Sequence, residues 1–301
     1  MVDITHKSNT LREATAMAVV RVSKAQTIQA IKDKTVPKGD VFEMSRAAGL
    51  LAVKKTPELL PDCHPLPIEF ARIDYTISGL EIHIECCLKT IYKTGVEVEA
   101  MHGATVVALN VYDMLKPLDK GIEIERIKLI EKKGGKSDSH PLKSQVKAAV
   151  VVCSDSIAAG KKEDRAGKAI IAALTSCDVP VAHYEIIPDE VEQIRSKVAA
   201  YKKEDIKIIL FTGGTGLSPR DQTPEALAPL IDKKIPGMEE ALRSYGQQRT
   251  PYAMLSRSVV GLSENTLILA LPGSTKGAAQ SMAALFPAVL HVFDIIKGGT
   301  H

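Results

Sequence analysis

The sequence predicts two domains of different class. Residues 1–143 read as an α+β domain on a ferredoxin-like plan, and residues 144–301 as an α/β domain with a doubly wound, mostly parallel sheet. Three observations carry this. Alternating segments flank the small turn Ser78-Gly79, which is a hairpin signal. A polar stretch, KKGGKSDSHPLKS over residues 132–144, separates the halves as a linker. Beyond it the period changes: KAAVVVC over residues 147–153 is an unbroken apolar run, as a strand buried on both faces requires.

Each element follows in order. Residues 12–22 alternate weakly as a strand, and residues 26–34 have helical spacing. After Pro37-Lys38-Gly39, Asp40 suits the N-cap of a helix reaching about residue 55. Pro57, Pro61, Pro65 and Pro67 make the next stretch an irregular loop. Strands at 68–77 and 80–92 form the hairpin, residues 96–115 a long one-sided helix, and residues 122–130 a closing strand. In the second half a strand at 147–153, a helix at 164–177, strands at 181–187 and 207–211 and a helix at 191–203 give a βαβαβ order. Such crossovers imply a parallel sheet. A strand at 267–271 and a helix at 276–296 complete it.

Composition narrows the function. The chain has 301 residues, 45% of them hydrophobic, and a net charge of +3. The charge is +2 over residues 1–143 (21 Lys and Arg against 19 Asp and Glu) and +1 over the rest (18 against 17). With 4% aromatics and no basic stripe, a nucleic-acid scaffold is disfavoured, and no nucleic-acid partner is expected. Five cysteines, Cys63, Cys86, Cys87, Cys153 and Cys177, contain no CxxC pair. An odd number without that spacing argues for reduced thiols in a cytoplasmic protein, rather than a disulfide framework or structural zinc. The stretch MVDITHKSNTLREAT has no apolar core, so a secretory signal is not expected, and no apolar run suggests a membrane span.

Chemistry-bearing residues of the first half fall in patches: Lys38 beside Gly39-Asp40, His64 in DCHPL, KTGVEVEA at 93–100 and YDMLK at 112–116. Glu97 and Glu99 sit at a helix start, where the dipole favours carboxylates. Asp113 and Lys116, three apart, share a helix face. Lys116 is then either held charged for a phosphate or poised as an acid. Spacing alone is equally met by a solvated ion pair, and His64 alone by a structural histidine.

The ordered set resembles the MoaC family, the cyclic pyranopterin monophosphate synthases. The matching stretches are KGDVF (38–42), CHPL (63–66), KTGVEVEA (93–100), YDMLK (112–116) and KKGGKS (132–137), covering nearly all of residues 1–140. Val98 departs from the family, whose members often carry Met between the two glutamates. The resemblance implies conversion of 3′,8-cyclo-7,8-dihydroguanosine triphosphate, a cyclised GTP derivative, to cyclic pyranopterin monophosphate and pyrophosphate. It assigns acid–base and phosphate-side chemistry to Lys38 and Lys116, tuning of Lys116 to Asp113, and triphosphate binding to His64, Lys132 and Lys136. Glu97 and Glu99 would position the pterin, with Asp3 and Arg12 near the site. No tightly bound cofactor is expected in this half. The family assembles from dimers into a hexamer, with sites shared between subunits.

In the second half TGGTGLSPRDQTPEA (212–226) follows an apolar strand. Its glycines let backbone N–H groups approach a phosphate, and Thr223-Pro224 starts a helix. The loop lies at the carboxyl edge of a parallel sheet, where such folds bind ligands. No Gly-Lys-Ser/Thr follows, so it is not a Walker loop. Asp221 suits a Mg²⁺ ligand, or alternatively a helix cap or a partner of Arg220. Leu271-Pro272-Gly273-Ser274 is either a second phosphate cradle or a strand-to-helix turn.

This half resembles the MoaB/MogA family through SDS (154–156), IPDE (187–190), the glycine loop, PGMEEALR (236–243), LSR (255–257) and LPGS (271–274). The resemblance implies AMP transfer from ATP to molybdopterin with Mg²⁺. Asp221 would be the prime acidic residue and Asp189 a second metal ligand, and Glu240 matches a further acidic position. Gly213, Gly214, Thr215, Gly216 and Ser274 would hold nucleotide or terminal phosphate, and Ser154 and Asp155 would line the nucleotide side. Members are commonly trimers, so a homo-oligomer, trimer or hexamer, is expected. The alternative is a second half that binds molybdopterin without adenylylating it.

Overall fold

The computed structural model describes residues 1–135 and 146–299. These fall into two compact units, with the division placed between Asp138 and Ser139. The expected boundary at residue 143 lies outside the described residues.

The first unit runs β1 (Thr10–Arg21), α1 (Ala25–Lys32), α2 (Val41–Leu59), β2 (Phe70–Ser78), β3 (Glu81–Tyr92), α3 (Glu97–Leu115) and β4 (Glu123–Lys133). Its four strands are antiparallel in the order β2-β3-β1-β4. β1 buries Ala14, Ala16, Ala18 and Val20, one side of a two-residue repeat. Small residues there let α3 lie close, through Ala100, Ala104, Val107, Ala108 and Val111. Helices α2 and α3 in turn meet through glycine. A Cβ on Gly103 would stand 2.6 Å from Val53 Cγ1, and one on Gly49 2.4 Å from Val107 Cγ2.

Two expectations need correction here. Asp40 does cap α2, accepting from the backbone N–H groups of Phe42 and Glu43 at 3.1 and 3.2 Å. The helix then continues through Pro57 to Leu59 instead of ending near residue 55. Pro57 cannot donate to the carbonyl of Val53. The Thr56 hydroxyl does so instead, at 3.3 Å, and Thr56 is fully buried. Second, β4 extends to Lys133, so Lys132 is a strand residue paired with Ala14 and not the start of a linker.

The second unit runs β5 (Ala148–Cys153), α4 (Asp155–Ala158), α5 (Ala166–Thr175), β6 (Val181–Ile187), α6 (Val191–Lys203), β7 (Ile208–Thr212), α7 (Thr223–Leu227), β8 (Lys233–Lys234), α8 (Pro236–Gln247), β9 (Val260–Ser263), β10 (Thr266–Leu271), α9 (Thr275–Leu285) and α10 (Val292–Ile296). The sheet order is β6-β5-β7-β10-β9-β8, and only β9 runs against the rest, pairing antiparallel with both β10 and the edge strand β8. All six residues of β5 are buried because two cores share it. Ala148 and Val150 pack with Ile170, Leu174 and Met282, and Ala149, Val151 and Cys153 with Ile194, Val198 and Tyr201.

The single helix expected at 276–296 is two. α9 ends at Leu285, and Pro287, lacking an N–H, separates it from a short 3₁₀ turn and α10. The antiparallel edge was also not foreseen, since β8 has two residues and β9 four. Among the described residues no single helix is long and apolar enough to cross a membrane.

Candidate functional sites

In the first unit the loop between α1 and α2 delivers Lys38 to the C-terminal end of α3. Lys34 pairs with Asp40 at 3.0 Å across that loop, and Gly39 takes the left-handed conformation at φ 98°. Lys38 Nζ then donates to Asp113 Oδ2 at 2.5 Å and to the Asp113 carbonyl at 2.9 Å. Lys116 Nζ meets the other carboxylate oxygen, Oδ1, at 2.7 Å. One carboxylate thus links two ammonium groups 78 positions apart in sequence.

Hydrogen bonds from Lys116 and Lys38 hold the Asp113 carboxyl down from its ordinary 3.8 to about 2. Asp113 pushes Lys116 upward in turn, first through its hydrogen bond and then through its charge. Of the two roles that spacing left open for Lys116, this surrounding favours the charged one. The group is half exposed and carries one net positive charge, which suits a phosphate.

The other residues of the predicted site lie elsewhere on the unit. At the N-terminal end of α3, Lys132 pairs with Glu97 at 3.2 Å. Arg12 donates to the Tyr92 carbonyl at 3.2 Å and lies against Gly135, where a Cβ would stand 1.8 Å from Nη1. Glu99 is buried, with 3% exposure, and that burial pushes its carboxyl upward. The nearby Cys63 thiol is also pushed up, first by burial and then by Glu99. His64 Nε2 lies 2.8 Å from the Val2 carbonyl. Asp3 accepts from Thr5 N and Oγ1 at 2.8 and 2.7 Å, closing a local turn. Lys136 lies outside the described residues. The two groups are separated by the 19 residues of α3. From Glu97 to Asp113 is 16 positions, about 24 Å at 1.5 Å per residue.

The second unit holds a cleft of about 370 Å³ at the carboxyl ends of β5 and β7. Ser154, Asp155, Asp189, Gly213, Gly214, Arg220, Asp221 and Gly273 line it. Gly213 is required twice over: its φ is 103°, and a Cβ would stand 2.1 Å from the Cys153 carbonyl. Asp221 Oδ2 accepts from Ser218 N at 2.9 Å. Asp189 is buried and accepts from Gln222 N and Thr223 Oγ1, both at 3.3 Å. Burial pushes its carboxyl upward despite those bonds, with Asp221 and Asp155 adding to the rise.

The structure places the remaining expected residues of this half as follows. Arg220 does not pair with Asp221. Its guanidinium spans Asp155, at 2.6 and 3.0 Å, and Glu190, at 2.6 Å. Thr215 and Gly216 do not line the cleft. They anchor its loop to Arg257, whose backbone N–H donates to the Thr215 carbonyl at 3.1 Å and whose Nε donates to that of Gly216 at 2.7 Å. Ser274 caps α9 through Gly277 N at 3.1 Å and faces a second cavity of about 330 Å³, with Arg243, Tyr252, Ser258 and Lys276. Glu240 is exposed on α8 and lines neither cavity. Glu190 and Arg257 were missed as site residues because their partners are 30 or more positions away.

Among the described residues no cluster of three or more His, Cys, Asp or Glu is arranged to hold a metal by itself. Asp189 and Asp221 supply two carboxylates to one cleft. Magnesium is commonly held by one or two carboxylates and completes its shell from water and phosphate, so this donor set fits it when a nucleotide is present.

Comparison with known proteins matches residues 1–135 to the MoaC family and residues 149–291 to the family described as "Probable molybdopterin binding domain". The molybdenum cofactor biosynthesis bifunctional protein of Chlorobaculum tepidum is 39% identical over 304 residues, covering 100% of this chain and 96% of its own. The protein of the same name from Synechococcus elongatus is 38% identical over 315 residues, covering 100% and 98%. The cyclic pyranopterin monophosphate synthase of Aquifex aeolicus is 31% identical over 273 residues, covering 91% and 90%. With relatives matched along its whole length, the chain belongs to the family of bifunctional molybdenum cofactor biosynthesis proteins, a MoaC domain followed by a molybdopterin-binding domain.

Proposed function

We propose that the first domain converts 3′,8-cyclo-7,8-dihydroguanosine triphosphate to cyclic pyranopterin monophosphate and pyrophosphate. The observation that carries this is the Lys38–Asp113–Lys116 group. Two ammonium groups on one ionised carboxylate stabilise the charge that grows on leaving pyrophosphate. Glu99, buried in the first turn of α3, would accept hydrogen bonds on a pterin edge. Arg12, His64 and Lys132, with Lys136, would bind the triphosphate.

The roughly 24 Å along α3 between the two groups supports a site completed by a neighbouring subunit, with Lys38 and Lys116 from one chain and Arg12, Glu97 and Lys132 from the next. The strand order β2-β3-β1-β4 in a βαββαβ frame supports a ferredoxin-like plan for this domain, and we place its boundary near residue 143. Five free thiols are in keeping with a cytoplasmic location.

We propose that the second domain transfers AMP from ATP to molybdopterin. A terminal phosphate oxygen of molybdopterin forms a bond to the α-phosphorus. The bond to the bridging oxygen breaks, and its electron pair leaves on pyrophosphate. Asp189 and Asp221 would hold Mg²⁺, which neutralises phosphate charge when bound. Ser154, Gly213 and Gly214 line the nucleotide cleft, and the neighbouring cavity at Ser274 offers room for the pterin. A domain that binds molybdopterin without adenylylating it is the second candidate. The two carboxylates in the cleft favour the transferase.

The test is pyrophosphate release by the purified full-length protein, with products identified by mass. Cyclised GTP should give the cyclic pterin monophosphate. ATP with molybdopterin should give the adenylylated pterin. Release in neither reaction rejects both assignments, and molybdopterin binding without adenylylation selects the second candidate.

A further inference from the structure

The second cleft has an unbalanced lining. It carries three carboxylates, Asp155, Asp189 and Asp221, against a single cationic side chain, Arg220. A polyphosphate entering it meets repulsion from every carboxylate left uncompensated. Arg220 already compensates Asp155, donating to it from Nε at 2.6 Å and from Nη2 at 3.0 Å. Nη2 also reaches Glu190 Oε1 at 2.6 Å. These bonds fix the planar guanidinium in one orientation. They leave Nη1 without an acceptor among the described residues. The loop carrying Arg220 is itself held. Ser218 N donates to Asp221 at 2.9 Å, Gln222 Nε2 to the Pro219 carbonyl at 2.8 Å, and Arg257 Nη2 to the Asp221 carbonyl at 2.9 Å.

We infer that Arg220 is the phosphate-contacting cation of this cleft, oriented by Asp155 and Glu190 so that Nη1 meets the pyrophosphate portion of ATP. The inference rests on the adenylyl transfer proposed above. As the bond to the α-phosphorus breaks and the electron pair moves onto pyrophosphate, a fixed guanidinium there stabilises the departing charge without reorganising. Glu190 is then a positioning residue, acting through Arg220 alone.

The test is calorimetric binding of AMP, ADP and ATP, each with magnesium, to the full-length protein and to Arg220→Met, Arg220→Lys and Glu190→Gln. The parent should bind ATP more tightly than AMP. Arg220→Met should weaken ATP roughly 10- to 100-fold, the worth of a charge-assisted hydrogen bond, and leave AMP nearly unchanged. Lysine should not restore the preference, because one ammonium cannot hold Asp155 with two donors and still offer a separate one. Glu190→Gln should weaken ATP by about threefold, again sparing AMP. An Arg220→Met protein that keeps the parental preference for ATP overturns the inference. So does equal weakening of all three nucleotides, which marks a merely structural role. If Arg220→Met does not fold, an unchanged preference in Glu190→Gln overturns it. A parent that binds none of the nucleotides instead overturns the adenylyl-transfer assignment itself.

Discussion

The two candidate sites are built in opposite ways. The second lies within one unit, where the carboxyl ends of β5 and β7 gather a glycine loop, two buried or loop-held aspartates and an oriented arginine into one cleft. The first is dispersed. A lysine–aspartate–lysine group stands at one end of α3, and Glu97, Lys132 and Arg12 stand at the other. A doubly wound sheet concentrates its loops at one edge. An antiparallel sheet with a helix lying along it sends the helix ends to opposite sides, so on the reading proposed above its site residues meet through a second copy. The second site should therefore be a property of the chain, and the first a property of the assembly.

The largest expected effect separates the sites outright. Lys116→Ala should lower cyclic pterin formation by about 10²–10⁴-fold, with adenylyl transfer by the same protein unchanged. Parallel loss of both activities would mean the domains are not independent. Asp221→Asn should do the reverse, reducing adenylylation at least about 100-fold while molybdopterin binding and the first reaction persist. Equal adenylylation rates in parent and variant would reject its metal role.

Smaller effects probe how rigidly each site is held. Gly213→Ala should destabilise the second domain by about 1–3 kcal/mol, since it forces a side chain into a left-handed backbone against a carbonyl. Its denaturant midpoint should fall while the first domain's stays put. Asp40→Ala removes the cap of α2 and the partner of Lys34, and should cost the first domain about 1 kcal/mol.

The smallest effect concerns pH. The Asp113 carboxyl is depressed from 3.8 to about 2. Whatever the two lysines contribute to stability is therefore present above pH 3.8 and disappears as pH falls through about 2. A carboxyl resonance of Asp113 titrating near 4 would show that the lysines do not hold it.

Much of this was legible in the sequence, for reasons that differ by residue. Asp113 and Lys116 are neighbours on a helix because they are three apart. That Lys38 joins them came from the family resemblance and not from spacing, because the loop before α2 brings it across 75 positions. The buried strand β5 announced itself by an unbroken apolar run. By contrast, Pro57 looked like a helix stop. It sits inside α2 because a buried Thr56 hydroxyl takes over the carbonyl that the proline cannot serve. Pro287 did break a helix that apolar spacing alone would have continued. Local rules failed most where the partner was distant. Arg220 lies next to Asp221 in sequence but spends its donors on Asp155 and Glu190. Ser274 was grouped with the glycine loop by motif, yet it faces the neighbouring cavity.

The measurement that tests the central contrast most directly is subunit mixing. Lys116→Ala and Lys132→Ala chains, each inactive in cyclic pterin formation when pure, are co-expressed and purified together. If each first site takes Lys116 from one chain and Lys132 from another, random pairing leaves about a quarter of sites intact, and the mixture should recover about that share of the parental rate. A mixture as inactive as either variant would contradict a site shared between chains.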